Sequence, residues 1–529
     1  MNVENSGSFF RVERLHLAVA TVAGLGMAVV IALFAVGYGG NPVKAIMQVV
    51  GMSLMIVATV NPRVGLSLLI LSTAYLDFLK RFLILFGGGS MGDVAGVLSV
   101  APVTLVGVFL GTCVMHPIFS KQMLDKTERR LVFFSLILIG ISITSGIRNG
   151  DLSLYTLGAI ANRSAYSLLV PIIYVLYRKR GADDIRRLLK FLVLVYVPVA
   201  LYGIHQYVFG LSQFEIDYLL SGLTTTGENL YDVHPRSFST LSSNHAFAIA
   251  MGIQSLLSMI LCSRQLRSRT GLFSSKWKWM LPVLFITACF LSFGRAGWML
   301  IVIGLFCIFA FRTRARVVGF YSIFAVSFGL LVWKADVIYA SLDAIQSYLP
   351  TDSAFQQQAF RIGTYSQRLY GFQNVFTNRA MWTWFGNPDL VFKAGEQVGD
   401  DETVHDALGQ MLITHGIAGL LLLALAGGFA LFVLHRRILS IPKGPNESLA
   451  RGLLSIGIAI FFGGMLTGTH LAVFPLNLLF WTAAGALVAA AQAGTASPVI
   501  TPPIQSEKPP RGSVAAPRRR DWQVPANPK

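Results

Sequence analysis

His405 and Asp406 stand side by side where an acidic stretch, DDETVHD (400–406), gives way to an apolar run. A carboxylate beside an imidazole raises the basicity of the ring and fixes its tautomer. The pair is therefore suited to act as a general base, or as a cation site. No HExxH spacing accompanies it, which counts against a metal. Arginines form the second group with chemistry to offer: Arg236, Arg295, Arg361, Arg368 and Arg379 lie in polar connections, together with His234 and His470. A guanidinium presents a planar fork of donors matched to carboxylates and phosphates, so a cluster of them points to an anionic ligand.

The elements that must position these groups are membrane helices. Of the 529 residues, 54% are hydrophobic and only 13% charged, against about a quarter charged in soluble domains. Apolar runs recur at the ~20 residues needed to cross a hydrocarbon core. They are continuous rather than alternating, which excludes a β-barrel. The expected fold is all-α and polytopic, with about 12–14 transmembrane helices and a large outward loop carrying amphipathic helices. The spans include 14–36, 43–60, 279–293, 297–311 and 408–434. The run 64–79 is the weakest, because Asp77, Lys80 and Arg81 close it early. Cys113, Cys262, Cys289 and Cys307 fall in or beside apolar runs without metal spacing and read as small core or lipid-facing residues. The first run lacks a small-residue cleavage site and is expected to be retained.

The net charge of +18 could suggest nucleic acid, but its distribution argues otherwise. Basic residues gather in short clusters between apolar runs, at 121–130, 178–187, 264–278, 312–316 and 435–443. With the N-terminus inside, every cluster falls in a cytoplasmic loop, as the positive-inside bias requires. The connections 210–240 and 334–407 then face outward, and with them the arginines and His405. The stretch 494–529, rich in proline and basic residues, reads as a disordered cytoplasmic tail that either touches anionic headgroups or is simply solvated.

Each outward group has two readings. Arg295, in the short turn SFGRAGW (292–298), either snorkels to anchor a helix end or holds a phosphate at headgroup depth. Ser292, Gly294 and Gly297 allow close backbone approach there. The period of 335–349 is helical. Residues 361–382 read as an amphipathic helix with Arg361, Arg368 and Arg379 near one azimuth, facing either lipid phosphate or an anionic substrate. Ser239, Ser242, Ser243 and Asn244 either cap a helix or line a polar cavity, and His245 reads as a satisfied helix residue. His415, ten residues past His405, reads as a packed helix residue, with Gly416 and Gly419 as a small-residue packing face.

His405-Asp406, nine residues, then Gly416, two residues and Gly419 resembles the signature of O-antigen ligases and Wzy-type polysaccharide polymerases. RSFSTLSSNHAFA (236–248), the Arg295 turn and the stretch from Arg368 to Trp382 extend the resemblance over roughly 236–430 in the same order. Asp406 stands where the family usually has an amide or hydroxyl. The resemblance implies a GT-C-like, metal-independent and cofactor-free glycosyltransferase of the bacterial inner membrane, its active site facing the periplasm. It implies an undecaprenyl-diphosphate-linked glycan as donor and a glycan or lipid A-core hydroxyl as acceptor. Other polysaccharide-assembly proteins are possible partners, and nucleic acid is not one. It assigns catalysis to His405, Arg295 and Arg368, and substrate contacts to Arg236, Arg361, Asp406 and Arg379. It divides the chain into N-terminal helices (1–210), a catalytic core (211–435), C-terminal helices (436–493) and the tail. Competing readings are a flippase of lipid-linked glycans, which would show repeats and midplane charges, and a non-catalytic assembly protein. The sequence contains no internal repeat.

Overall fold

The computed structural model describes residues 42–87, 91–115, 126–148, 164–178, 182–221, 236–266, 272–274, 276–348, 378–387, 407–467 and 473–493. The first expected span (14–36) and the tail (494–529) lie outside the described residues. Among the described residues the protein is all helix, without a strand. In chain order the helices are α1 (Pro42–Val60), α2 (Pro62–Gly87), α3 (Met91–Met115), α4 (Lys126–Arg148), α5 (Leu169–Tyr177), α6 (Ala182–Phe209), α7 (Gln213–Leu220) and α8 (Asn244–Leu261). They continue with α9 (Met280–Leu291), α10 (Arg295–Ala310), α11 (Arg314–Trp333), α12 (Ala335–Tyr348), α13 (Ala407–Leu422), α14 (Gly428–Ser440), α15 (Pro445–Thr467) and α16 (Leu476–Ala493).

Segments of α3, α6, α8, α15 and α16 are long and apolar enough to cross a membrane. α9, with 12 residues, is shorter than its run 279–293, while α10, with 16, matches its run 297–311. At 1.5 Å per residue they rise about 18 and 24 Å, less than the ~30 Å of a hydrocarbon core. The helical period read in 335–349 is realised as α12. α8 is buried on nearly all sides and forms the axis of the bundle, wrapped by α6, α9, α10 and α15. Three of the four cysteines are buried, and Cys289 Sγ lies 3.3 Å from the Ala248 carbonyl oxygen.

The described residues of the five basic clusters gather at one end of the bundle. Glu128 pairs with Arg178 at 2.5 Å, tying the start of α4 to the end of α5. Lys190, on the first turns of α6, lies 5.2 Å above the Phe273 ring. Ser448 donates to Gln265, and the ring of His435 stands 4.7 Å from that of Phe311 and accepts or donates at 2.9 Å with the Tyr321 hydroxyl. The charge pattern of the loops and the three-dimensional arrangement thus agree on a single basic end.

One expectation fails in α2. Asp77, Lys80 and Arg81 do not close the helix, which runs on to Gly87. The charges are compensated inside the bundle instead of solvated: Lys80 pairs with Asp77 at 3.2 Å, and Arg81 is bonded to main-chain carbonyls. A charge ends an apolar run only when nothing within the protein can satisfy it.

Candidate functional site

At the end opposite the basic clusters, two helices begin side by side. Ser243 caps α8, its hydroxyl accepting from Ala246 N at 3.1 Å, as the serine-rich approach predicts. α10 runs parallel to α8 and nearly backbone to backbone. A Cβ on Gly297 would sit 2.6 Å from the Ala248 carbonyl carbon, one on Gly252 3.0 Å from Gly297 O, and one on Gly304 3.0 Å from Leu256 Cδ2. Gly294, the residue before α10, lies against Ala248, and a Cβ there would be 3.3 Å from Asn244 O. The close approach expected of Gly294 and Gly297 is therefore made to α8.

Each helix start carries roughly +0.5 of a charge from its aligned peptides. Two parallel starts in contact add these positive ends instead of cancelling them. Arg295 is the first residue of α10 and is half-buried. A cation there is opposed by the helix dipole, so local helix energetics do not account for it. The same place is suited to an anion, which both the backbone N–H groups and the guanidinium would attract. The turn that delivers Arg295 is rigid. Ser292 Oγ donates to Cys289 O at 2.6 Å and accepts from Gly294 N at 3.1 Å. Trp298 Nε1 donates to the same Cys289 carbonyl at 3.1 Å, its ring stacked 4.8 Å from Phe290. Phe293 takes a left-handed φ of 53° and packs 6.1 Å from Tyr207 at the end of α6.

Arg236 reaches this end through residues 236–243, and α2, α6 and α7 hold that segment. Arg81, fully buried, donates from Nη1 to Ser239 O at 2.6 Å and from Nη2 to Leu241 O. Its guanidinium carbon lies 4.4 Å from the Phe238 ring centre and 5.5 Å from that of Tyr218. Gln206 Oε1 accepts from Phe238 N at 3.0 Å and Ser239 N at 2.6 Å, while its amide donates to Glu215. Glu215 also accepts from Tyr202 and from Ser212 N, both at 2.8 Å. Sequence reading missed this network. The signal for it was present, since Asp77, Lys80 and Arg81 within an apolar run are costly unless they serve something.

A second structure is built at α13. Gly416 interrupts the helix with φ 65° and ψ −166°, a region open in practice only to glycine. Residues 378–387 dock their backbone at the break. Ile417 N donates to Thr383 O at 2.8 Å, Ala418 N to Trp384 O at 3.0 Å, and Asn387 N to Ile413 O at 2.8 Å. Gly416 is thus a docking point for another segment and not part of a helix-packing face. His415 is buried, as expected, and Gly419 packs on it. Residues 361–377 lie outside the described residues, but the expected helix does not extend through 382. Asn378 is extended and caps a single 3-10 turn, Arg379–Met381, because its side-chain oxygen accepts from Ala380 N at 3.0 Å.

Of the candidate residues, Arg295 opens α10 at its shared start with α8, Arg236 begins the segment that Gln206 and Arg81 hold before α8, and Arg379 is exposed on the segment docked at Gly416. His405, Asp406, Arg361 and Arg368 lie outside the described residues, His405 two positions before α13 begins. In comparison with known proteins, residues 280–424 match the family model Wzy_C, described as O-antigen ligase. The match spans α9 to α13 and includes the Arg295 turn, the docked segment and Gly416. No curated protein matches the chain.

Proposed function

Because residues 280–424 match an O-antigen ligase family model, we propose that the protein transfers a glycan from undecaprenyl diphosphate to an acceptor hydroxyl at the outer face of the bacterial inner membrane. The observation that carries this reading is the end opposite the basic clusters, where α8 and α10 start side by side with Arg295 as the first residue of α10. Positive-inside statistics make the basic end cytoplasmic and the Arg295 end periplasmic. In support, α9 rises only about 18 Å, short of a ~30 Å hydrocarbon core, which favours an Arg295 turn at or below headgroup depth, where a lipid diphosphate lies and charge interactions are strong.

In this reading Arg295 and Arg368 hold the diphosphate and neutralise the charge that grows as it leaves. The acceptor oxygen attacks the anomeric carbon, the sugar–phosphate oxygen bond breaks, and the hydroxyl proton passes to His405. Asp406 orients the imidazole, while Arg236, Arg361 and Arg379 contact the diphosphate or the glycan. Breaking a sugar–diphosphate bond is downhill, so positioning and leaving-group stabilisation suffice, with no nucleotide, metal or other cofactor required. The product is either a glycan joined to a lipid A-core or an extended lipid-linked chain, as in exopolysaccharide or O-antigen polymerisation.

The test uses purified full-length protein in lipid nanodiscs with lipid-linked glycan isolated from cells lacking the protein. Free undecaprenyl diphosphate is expected to appear in step with glycan on the acceptor. Movement of intact lipid-linked glycan between leaflets, with no free diphosphate, would replace this reading with a flippase.

A further inference from the structure

We propose that Arg81 is a positioning residue, which grips the backbone of residues 236–243 and so fixes the path that leads from Arg236 into α8. The claim about the grip stands on the geometry alone, and its consequence for the substrate rests on the function proposed above.

Arg81 is 0% exposed, so it touches no substrate. Burying a guanidinium is costly, and the compensation it finds here is unusual in kind. Its described hydrogen-bond acceptors are the main-chain carbonyls of Ser239 and Leu241, not a carboxylate. Bonds to main-chain atoms fix the path of the chain, whatever side chains it carries. A fork with two donor ends, closing on carbonyls two residues apart, restrains both position and direction. A lysine in the same place has a single ammonium on a flexible stem and cannot reproduce that restraint.

Other groups complete the grip from different sides. Gln206 receives the two amides of Phe238 and Ser239 from α6. The Ser239 hydroxyl donates to Val199 O and the Thr240 hydroxyl to Ala74 O, both at 2.5 Å. Ser239 is held at a φ of 53°, a conformation that a residue with a side chain keeps only when its surroundings insist on it. Ile84, Tyr218, Leu219 and Phe238 form a separate small apolar cluster, of which the Tyr218 and Phe238 rings face the guanidinium. All of this acts on the few residues between Arg236 and the Ser243 cap. α8 has its own packing against α6, α9, α10 and α15 and does not depend on the grip to stay folded.

Hydrogen exchange of the Arg81→Lys protein in nanodiscs tests the grip. Amides of residues 236–243 are expected to exchange about tenfold faster, with residues 246–261 as protected as in the wild type. Unchanged exchange at 236–243, or loss of protection throughout α8, would overturn the proposal. Undecaprenyl diphosphate, the expected product, serves as probe for the consequence. Arg81→Lys is expected to weaken its binding about tenfold in the wild-type background and less than about twofold in an Arg236→Ala background. Equal losses in both backgrounds would show that Arg81 acts independently of Arg236, contrary to the proposal. If the exchange result holds while Arg236→Ala alone leaves binding unchanged, the grip stands and the assignment of Arg236 to the diphosphate falls.

Discussion

Gly416→Ala is expected to cut glycan transfer about 100-fold while leaving membrane insertion intact, because a misplacement of about 1 Å remote from the chemistry can cost that much. Two independent effects converge at this residue. Its φ of 65° and ψ of −166° cost a side-chain-bearing residue of order 1–3 kcal/mol. A Cβ would also stand 2.5 Å from Thr383 O and from Trp384 C, and closer still to Gly386 N. These are backbone atoms held by hydrogen bonds to Ile417 and Ala418, so they cannot swing aside as a side-chain tip could. The 378–387 segment must lift off α13, and Arg379 moves with it. Transfer assays and protease accessibility of the 378–387 region check this together: activity falls and cleavage rises. Full activity in the alanine variant would mean that the docking has no part in catalysis.

His405→Ala is expected to lower transfer by about 10²–10⁴, the range for losing a general base, with binding of undecaprenyl diphosphate unchanged. The separation of the two readouts follows from the division of labour proposed. His405 meets the acceptor hydroxyl, and the arginines meet the diphosphate. Asp406→Asn, which keeps the shape and removes the charge, is expected to cause a smaller loss, since it affects only the orientation and charge balance of the ring. A His405→Ala protein that keeps its transfer rate but binds the diphosphate poorly would interchange these roles.

How much of this was legible in the sequence depends on the range over which each feature is determined. The helical, membrane-type fold and its single basic end follow from local hydropathy and charge, and the structure realises both. The capping reading of the serine-rich approach was legible for the same reason, since the Ser243 cap bonds a residue three positions on. Arg81 was misread as the end of a span because its partners, Ser239 and Leu241, lie over 150 residues away. Gly416 was noticed but given the wrong work. A glycine in an apolar helix ordinarily signals close packing, and only the docking of Thr383 and Trp384, some thirty residues upstream, makes its left-handed backbone necessary. The stretch 361–382 had a helical period, yet Asn378 diverts its end into a turn by bonding its own neighbour.

The most direct test of the account is the rate of sugar–diphosphate cleavage in a single turnover, measured for wild type, Arg295→Ala and Arg295→Lys with lipid-linked glycan in nanodiscs. If the joined starts of α8 and α10 and Arg295 stabilise the departing diphosphate, Arg295→Ala slows cleavage by about 10²–10³, comparable to removing one oxyanion-stabilising donor. Arg295→Lys then recovers part of the loss, because the charge returns without the planar fork. Cleavage at the wild-type rate in a correctly inserted Arg295→Ala protein would contradict the account.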